Sequence, residues 1–79
     1  MTTKIDSMDL LPKHRKLFAS RMKHKRKLLG LSQSRLSQLT GMATSHISAL
    51  ETGQVNPSLD VMIKISRALD ESLAYFVIE

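Results

Sequence analysis

Three glycines, at positions 30, 41 and 53, divide the middle of this 79-residue chain into short segments. Glycine adopts a left-handed backbone without steric cost, so each of the three is a natural place for a helix to end. Apolar residues around them recur at helical spacing, and no segment alternates apolar and polar residues for long enough to form a strand. The sequence therefore predicts an all-α fold, a compact bundle of about five short helices.

Other residues mark where the predicted helices begin. Pro12 suits the first turn of a first helix that ends at Gly30. Ser32, Ser58 and Ser72 are good N-caps for the second, fourth and fifth helices. The residues expected to face inward are Phe18, Ala19, Met22 and Leu29 in the first helix, Leu36 and Leu39 in the second, Ile47 and Leu50 in the third, and Leu59, Met62, Ile63, Ile65 and Leu69 in the fourth.

Positive charge is concentrated in one part of the chain. Between Asp9 and Glu51 there is no Asp or Glu, yet this stretch holds nine of the twelve Lys and Arg residues. Such segregation gives a small protein one strongly positive side, for which a polyanion is the natural partner. The alternative is a basic helix that is merely solvated, and composition alone leaves both interpretations open.

Composition also argues against several classes of protein. There is no cysteine for a disulfide or a thiolate metal site, and the three histidines at 14, 24 and 46 are too widely spaced to suggest a metal. We find no nucleophile–base pair, phosphate-binding glycine loop or paired catalytic acids, so we expect no enzyme activity, metal or cofactor. The chain lacks a secretory signal pattern, and its longest apolar stretch, 73–78, is too short to span a bilayer. We expect a soluble, cytoplasmic protein.

An ordered set of residues surrounds Gly41. It comprises Leu31-Ser32-Gln33, Leu36, Gly41, Ile47, Leu50-Glu51, Gly53 and Asn56-Pro57-Ser58-Leu59, preceded by the basic segment from Met22 to Gly30. With its spacings kept, this set resembles the Cro/repressor-type (XRE-like) helix-turn-helix family of phage and bacterial regulators, over about residues 17–77. The resemblance implies a lambda-repressor-like DNA-binding domain in residues 13–79, after a flexible tail in residues 1–12, with no room for a separate effector domain.

The resemblance also implies a function. The implied function is that of a sequence-specific regulator of transcription, a repressor or controller. Such a protein would insert helix 44–52 into the major groove of duplex DNA as a homodimer. The expected base contacts are Thr44, Ser45, His46, Ser48 and Ala49, and the expected phosphate contacts are Lys23, Arg26, Ser32, Gln33, Thr52 and Asn56. None of the base-contacting side chains forms the bidentate pairs that discriminate strongly between bases, so DNA shape and water should contribute more than usual.

One position departs from the family pattern. Ala43 stands where the family usually has Ser or Thr to cap the third helix. Alanine forgoes a cap that is typically worth about 1 kcal/mol. If Thr44 capped the helix instead, the base-contacting residues would shift by one position.

Two further roles follow from the resemblance and from composition. Arg26 and Glu51 are expected to form a mainly structural ion pair that ties the first helix to the end of the third. The C-terminal segment carries more apolar surface than one short helix is expected to bury in so small a core. We therefore expect a dimer interface there, formed by Leu73, Tyr75, Phe76, Val77 and Ile78. The alternative is that these five residues pack inside the monomer.

Two other functions compete with this interpretation. A basic amphipathic helix over residues 13–29 could lie on an anionic membrane or in an acidic groove, but that leaves the pattern around Gly41 unexplained. An antitoxin that binds a toxin and represses its own operon is a closer alternative. Its toxin would dock on the N-terminal tail or on the apolar C-terminal end.

Overall fold

The structure, a computed structural model, describes residues 11–78. Five helices follow one another in this part of the chain: α1 (Leu11–Leu28), α2 (Gln33–Thr40), α3 (Thr44–Glu51), α4 (Leu59–Ala68) and α5 (Leu73–Val77). No strand is present in residues 11–78, so the predicted all-α class is confirmed. Helix α1 begins two residues before the predicted domain boundary, and the rest of the predicted tail lies outside the described residues. None of the described helices is long and apolar enough to cross a membrane.

The predicted caps are present. The hydroxyl oxygens of Ser32, Ser58 and Ser72 each accept a hydrogen bond from the backbone N–H three residues further on. Such a bond satisfies one of the free amides at a helix start. At the other end of α2, Gly41 adopts a left-handed conformation with φ of 72°, and its N–H donates to the carbonyl of Ser37. The chain can therefore turn sharply between α2 and α3.

The core lies between all five helices. Helix α1 packs against α3 and α5, α2 packs against α3 and α4, and α4 packs against α5. The buried apolar side chains of the core are Phe18, Met22, Leu36, Met42, Ile47, Leu50, Ile65, Leu69 and Phe76. The rings of Phe18 and Phe76 have centroids 5.6 Å apart, which joins α1 directly to α5.

Four leucines and isoleucines that were predicted to face inward are exposed: Leu29, Leu39, Leu59 and Ile63. Leu29 follows the last residue of α1 and so lies outside the helical period. Helix α4 carries apolar residues on two faces. Ile65 lies on the face that the core covers, and Ile63 lies nearly opposite it. Leu39 is exposed because the eight-residue α2 buries only one side chain, Leu36, against its neighbours.

Polar contacts also fix α5 on α1. The Arg21 guanidinium donates hydrogen bonds to the backbone carbonyls of Tyr75 and Ile78, and its central carbon lies 5.6 Å from the centroid of the Tyr75 ring. Lys25 Nζ lies 3.1 Å from a carboxylate oxygen of Glu71, in the connection before α5. Basic residues of α1 therefore serve the fold as well as the surface charge.

Candidate nucleic-acid interface

The turn between α2 and α3 is held by side chains that sequence reasoning missed. Ser37 donates from its hydroxyl to the carbonyl of Met42, which is itself buried. The Thr40 hydroxyl donates to the carbonyl of Leu36 at 2.8 Å and accepts from the N–H of Met42 at 3.3 Å. The sequence signal for these bonds is the pair of hydroxyl residues, Ser37 and Thr40, shortly before the helix-ending Gly41. Such side chains bond readily to nearby backbone groups.

Helix α3 has one face in the core and the other toward solvent. Ile47 and Leu50 are buried beneath it. Of the five predicted base-contacting residues, Thr44, Ser45 and His46 are exposed, and Ser48 and Ala49 are half-buried. The N-terminal turn of α3 thus presents two hydroxyls and an imidazole to solvent from a helix anchored underneath.

Ala43 occupies the N-cap position of α3 in an extended conformation, with φ of −64° and ψ of 143°. No side-chain hydrogen bond caps the helix there. Thr44 is the first helical residue and does not replace the missing cap, so the helix starts where the family pattern places it. The alternative, in which Thr44 caps the helix and the base-contacting residues shift by one position, is therefore wrong.

The missing cap leads to a stability prediction. Ala43→Ser is expected to raise the free energy of unfolding by about 1 kcal/mol, because the new hydroxyl can accept from an amide in the first turn of α3. Thermal or urea unfolding measures the change. Ser58→Ala, which removes the existing cap of α4, is the matched reverse substitution and should lower the free energy of unfolding by about 1 kcal/mol. A loss at Ser58 without a gain at Ala43 would contradict the prediction.

The structure brings Arg26 and Glu51 together as a bidentate ion pair. Arg26 Nε and Nη2 donate to the two carboxylate oxygens of Glu51 at 2.7 and 2.9 Å. Arg26 Nη1 also donates to the carbonyl of Leu31 at 2.8 Å. The hydrogen bonds to Glu51, together with its charge, hold the pKa of Arg26 above its usual value despite burial. The pair connects α1 to the last residue of α3.

This pair is well shielded, with 9% of the Arg26 side chain and 2% of the Glu51 side chain exposed. Three of the guanidinium's five donors are used inside the protein. We therefore interpret Arg26 as a mainly structural residue, and its role as a phosphate contact stays a prediction.

The other predicted phosphate contacts lie at the two ends of the helix-turn-helix. At the start of α2, Ser32 is exposed and Gln33 donates from its amide to Glu51 at 3.1 Å, a bond that sequence reasoning missed. At the far end, Thr52 is exposed with its hydroxyl donating back into α3, and Asn56 is exposed. Lys23 is exposed on α1. Through its hydrogen bond to Glu51, Gln33 joins the ion pair to the beginning of α2.

The five predicted dimer residues do not share one exposed surface. Phe76 is 0% exposed and belongs to the monomer core, so its placement in a dimer interface is wrong. Its ring contacts those of Phe18 and Tyr75, with centroids 5.6 and 5.0 Å away. Leu73, Tyr75 and Val77 are half-buried, and Ile78 is 63% exposed. The core therefore takes up part of the apolar surface that the sequence analysis assigned to the dimer interface.

Comparison with known proteins agrees with this geometry. A helix-turn-helix family model matches residues 22–76. The chain is 38% identical over 58 residues to the HTH-type transcriptional regulator SinR of Bacillus subtilis, which covers 72% of this chain and 52% of SinR. It is 37% identical over 49 residues to an uncharacterized HTH-type transcriptional regulator of Haemophilus influenzae, covering 62% of this chain and 50% of that protein. The chain thus spans about half the length of these curated relatives.

A solved structure is also similar. The crystal structure of the restriction-modification controller protein C.AhdI from Aeromonas hydrophila superposes with a TM-score of 0.75 and 34% identity, over 78% of this chain and 94% of that one. The chain belongs to the helix-turn-helix family, and its motif is of the Cro/repressor (XRE) type.

Proposed function

We propose that this protein binds duplex DNA sequence-specifically and regulates transcription, as a repressor or controller rather than an enzyme. The observation that carries the proposal is the exposed polar N-terminal turn of α3, which lies over a buried apolar face. A helix of this motif enters the major groove with its first residues at the base edges. Thr44 and Ser45 would contact base edges there, with His46 beside them, while the half-buried Ala49 would offer its methyl to a thymine.

A network around Glu51 fixes the end of α3 to its neighbours. Its carboxylate binds Arg26 on α1 and Gln33 on α2, so the end of α3 is tied to both neighbouring helices. Side chains held in one orientation lose less conformational entropy when they meet their ligand. We infer that this network keeps the exposed turn of α3 at a fixed angle to the α2 start, where Ser32 and Gln33 would bind a backbone phosphate.

We further infer that two copies act together on a near-palindromic operator. One α3 helix reads only a few base pairs, whereas a two-fold dimer doubles the contacts and places its recognition helices about 34 Å apart. Ile78 and the half-buried Leu73, Tyr75 and Val77 remain as apolar surface for such a contact, without Phe76. The relatives are named as transcriptional regulators and a controller protein, which gives the antitoxin alternative no support.

A salt titration tests DNA binding itself. If several basic side chains neutralise phosphates, the logarithm of the association constant should fall linearly with the logarithm of salt concentration, by about 0.9 for each phosphate contacted. We expect a slope of several negative units for the full chain on a labelled duplex, measured by fluorescence anisotropy. Absence of binding at low salt, or a slope near zero, would contradict the proposed function.

A further inference from the structure

A hydrogen bond joins the N-terminal half of α1 to the segment that follows α3. Arg15 Nη1 donates to Asn56 Oδ1 at 2.7 Å. The two residues are 41 positions apart in sequence, and Asn56 is one of the predicted phosphate contacts. Arg15 precedes residue 22, where the helix-turn-helix family match begins. The segment of α1 before that residue therefore reaches the predicted DNA-binding side of the molecule through this bond.

In the part of the chain that the structure describes, Arg15 lacks the carboxylate partner that two other basic residues of α1 have. On the same helix, Lys25 and Arg26 are paired with the carboxylates of Glu71 and Glu51. Arg15 instead bonds to a neutral amide, and within residues 11–78 no carboxylate lies within ion-pair distance of it. Its side chain is thus oriented by the protein, and no carboxylate of residues 11–78 takes up its charge. An oriented charge of this kind suits an external anion.

The geometry of the bond also leaves donors for an anion. Because the Asn56 oxygen accepts from Arg15, the two N–H groups of the amide point elsewhere, and Asn56 is exposed. The guanidinium has five N–H donors, of which this bond uses one. A phosphate oxygen accepts hydrogen bonds and donates none, so it can bond to the amide and the guanidinium at once.

We propose that Arg15, which lies before the segment matched by the family, and Asn56 together bind one phosphate of the DNA backbone. This proposal rests on the proposed function, since the phosphate belongs to the same duplex that α3 reads. The contact fixes register and adds affinity, and it carries no base information.

The experiment compares Arg15→Gln with Lys64→Gln in the full chain. Both substitutions remove one positive charge, and Lys64 is an exposed residue of α4. With a labelled random-sequence duplex, Arg15→Gln should weaken binding about sevenfold at 50 mM salt and about twofold at 200 mM, because one fewer phosphate is neutralised and the slope falls by about 0.9. Lys64→Gln should change affinity less than twofold and leave the slope unaltered.

A second variant separates binding from folding. Asn56→Asp places a carboxylate beside Arg15, so the guanidinium gains an internal ion pair and the melting temperature should not fall. Its affinity for the duplex should nevertheless drop at least as far as that of Arg15→Gln. Suppose that both variants match Lys64→Gln in affinity and slope while the wild-type protein still binds with steep salt dependence. The Arg15–Asn56 bond then only holds α1 against the segment after α3, and this inference is overturned. If the wild-type protein does not bind the duplex, the proposed function fails and this inference fails with it.

Discussion

Glu51→Ala is expected to lower the free energy of unfolding by about 3–5 kcal/mol. The substitution leaves the Arg26 guanidinium buried without its carboxylate and removes the acceptor of the Gln33 amide. For a chain of this size the total stability is about 4–12 kcal/mol, so the variant should melt at a much lower temperature or be partly unfolded at 25 °C. Urea unfolding followed by circular dichroism measures the loss.

The matched control for this loss is Glu71→Ala. Glu71 pairs with Lys25 at 3.1 Å, but 29% of its side chain is exposed. Water and salt screen such a pair, so its removal should cost about 1 kcal/mol or less. Equal losses at Glu51 and Glu71 would show that burial of the Arg26 pair has no energetic consequence. The double variant Arg26→Ala/Glu51→Ala should lose less than the sum of the two single variants, since each single change leaves an unpaired charge.

Phe76→Ala is the second substitution with a large expected effect, also about 3–5 kcal/mol. The ring is fully buried between α5 and α1, and its removal leaves a cavity against Phe18 that so small a core cannot easily close. If Phe76 instead lay in a dimer interface, the same substitution would change self-association and leave the monomer's stability nearly unaltered. Unfolding experiments at several protein concentrations distinguish the two outcomes, because dimer dissociation depends on concentration.

Ile78→Asp serves as the control at the neighbouring exposed position. Since Ile78 is 63% exposed, the monomer's free energy of unfolding should change by about 0.5 kcal/mol or less. If the C-terminal segment forms a dimer contact, a charge at Ile78 should weaken self-association in sedimentation equilibrium. A wild-type protein that stays monomeric both alone and on duplex DNA would contradict the dimer proposal.

Local signals in the sequence were sufficient for most of the fold. The serine caps and the left-handed Gly41 depend on bonds within a few residues, and the structure has them where they were expected. The partners Arg26 and Glu51 lie far apart in sequence, and their pairing could be anticipated only because the whole motif resembles a known family. The position of Ala43 at the start of α3 followed from the same resemblance.

What the sequence left open depends on which faces the helices present to one another. Ile63 and Ile65 are equally apolar, and only the packing of α4 decides that Ile65 is buried and Ile63 exposed. The same holds for Phe76, whose burial depends on Phe18 in a helix some sixty residues earlier. The Arg15–Asn56 bond has no local signature, because an arginine and an asparagine at this separation are unremarkable until the fold brings them together.

The central claim is that the first turn of α3 reads the bases of duplex DNA, and sequencing the DNA selected from a random pool tests it most directly. The wild-type protein should enrich a near-palindromic motif. Thr44→Ala or Ser45→Ala should change the preferred bases, whereas Gln33→Ala should weaken binding but keep the same motif. Selection of no motif by the wild-type protein, or an unaltered preference in both α3 variants, would contradict the account.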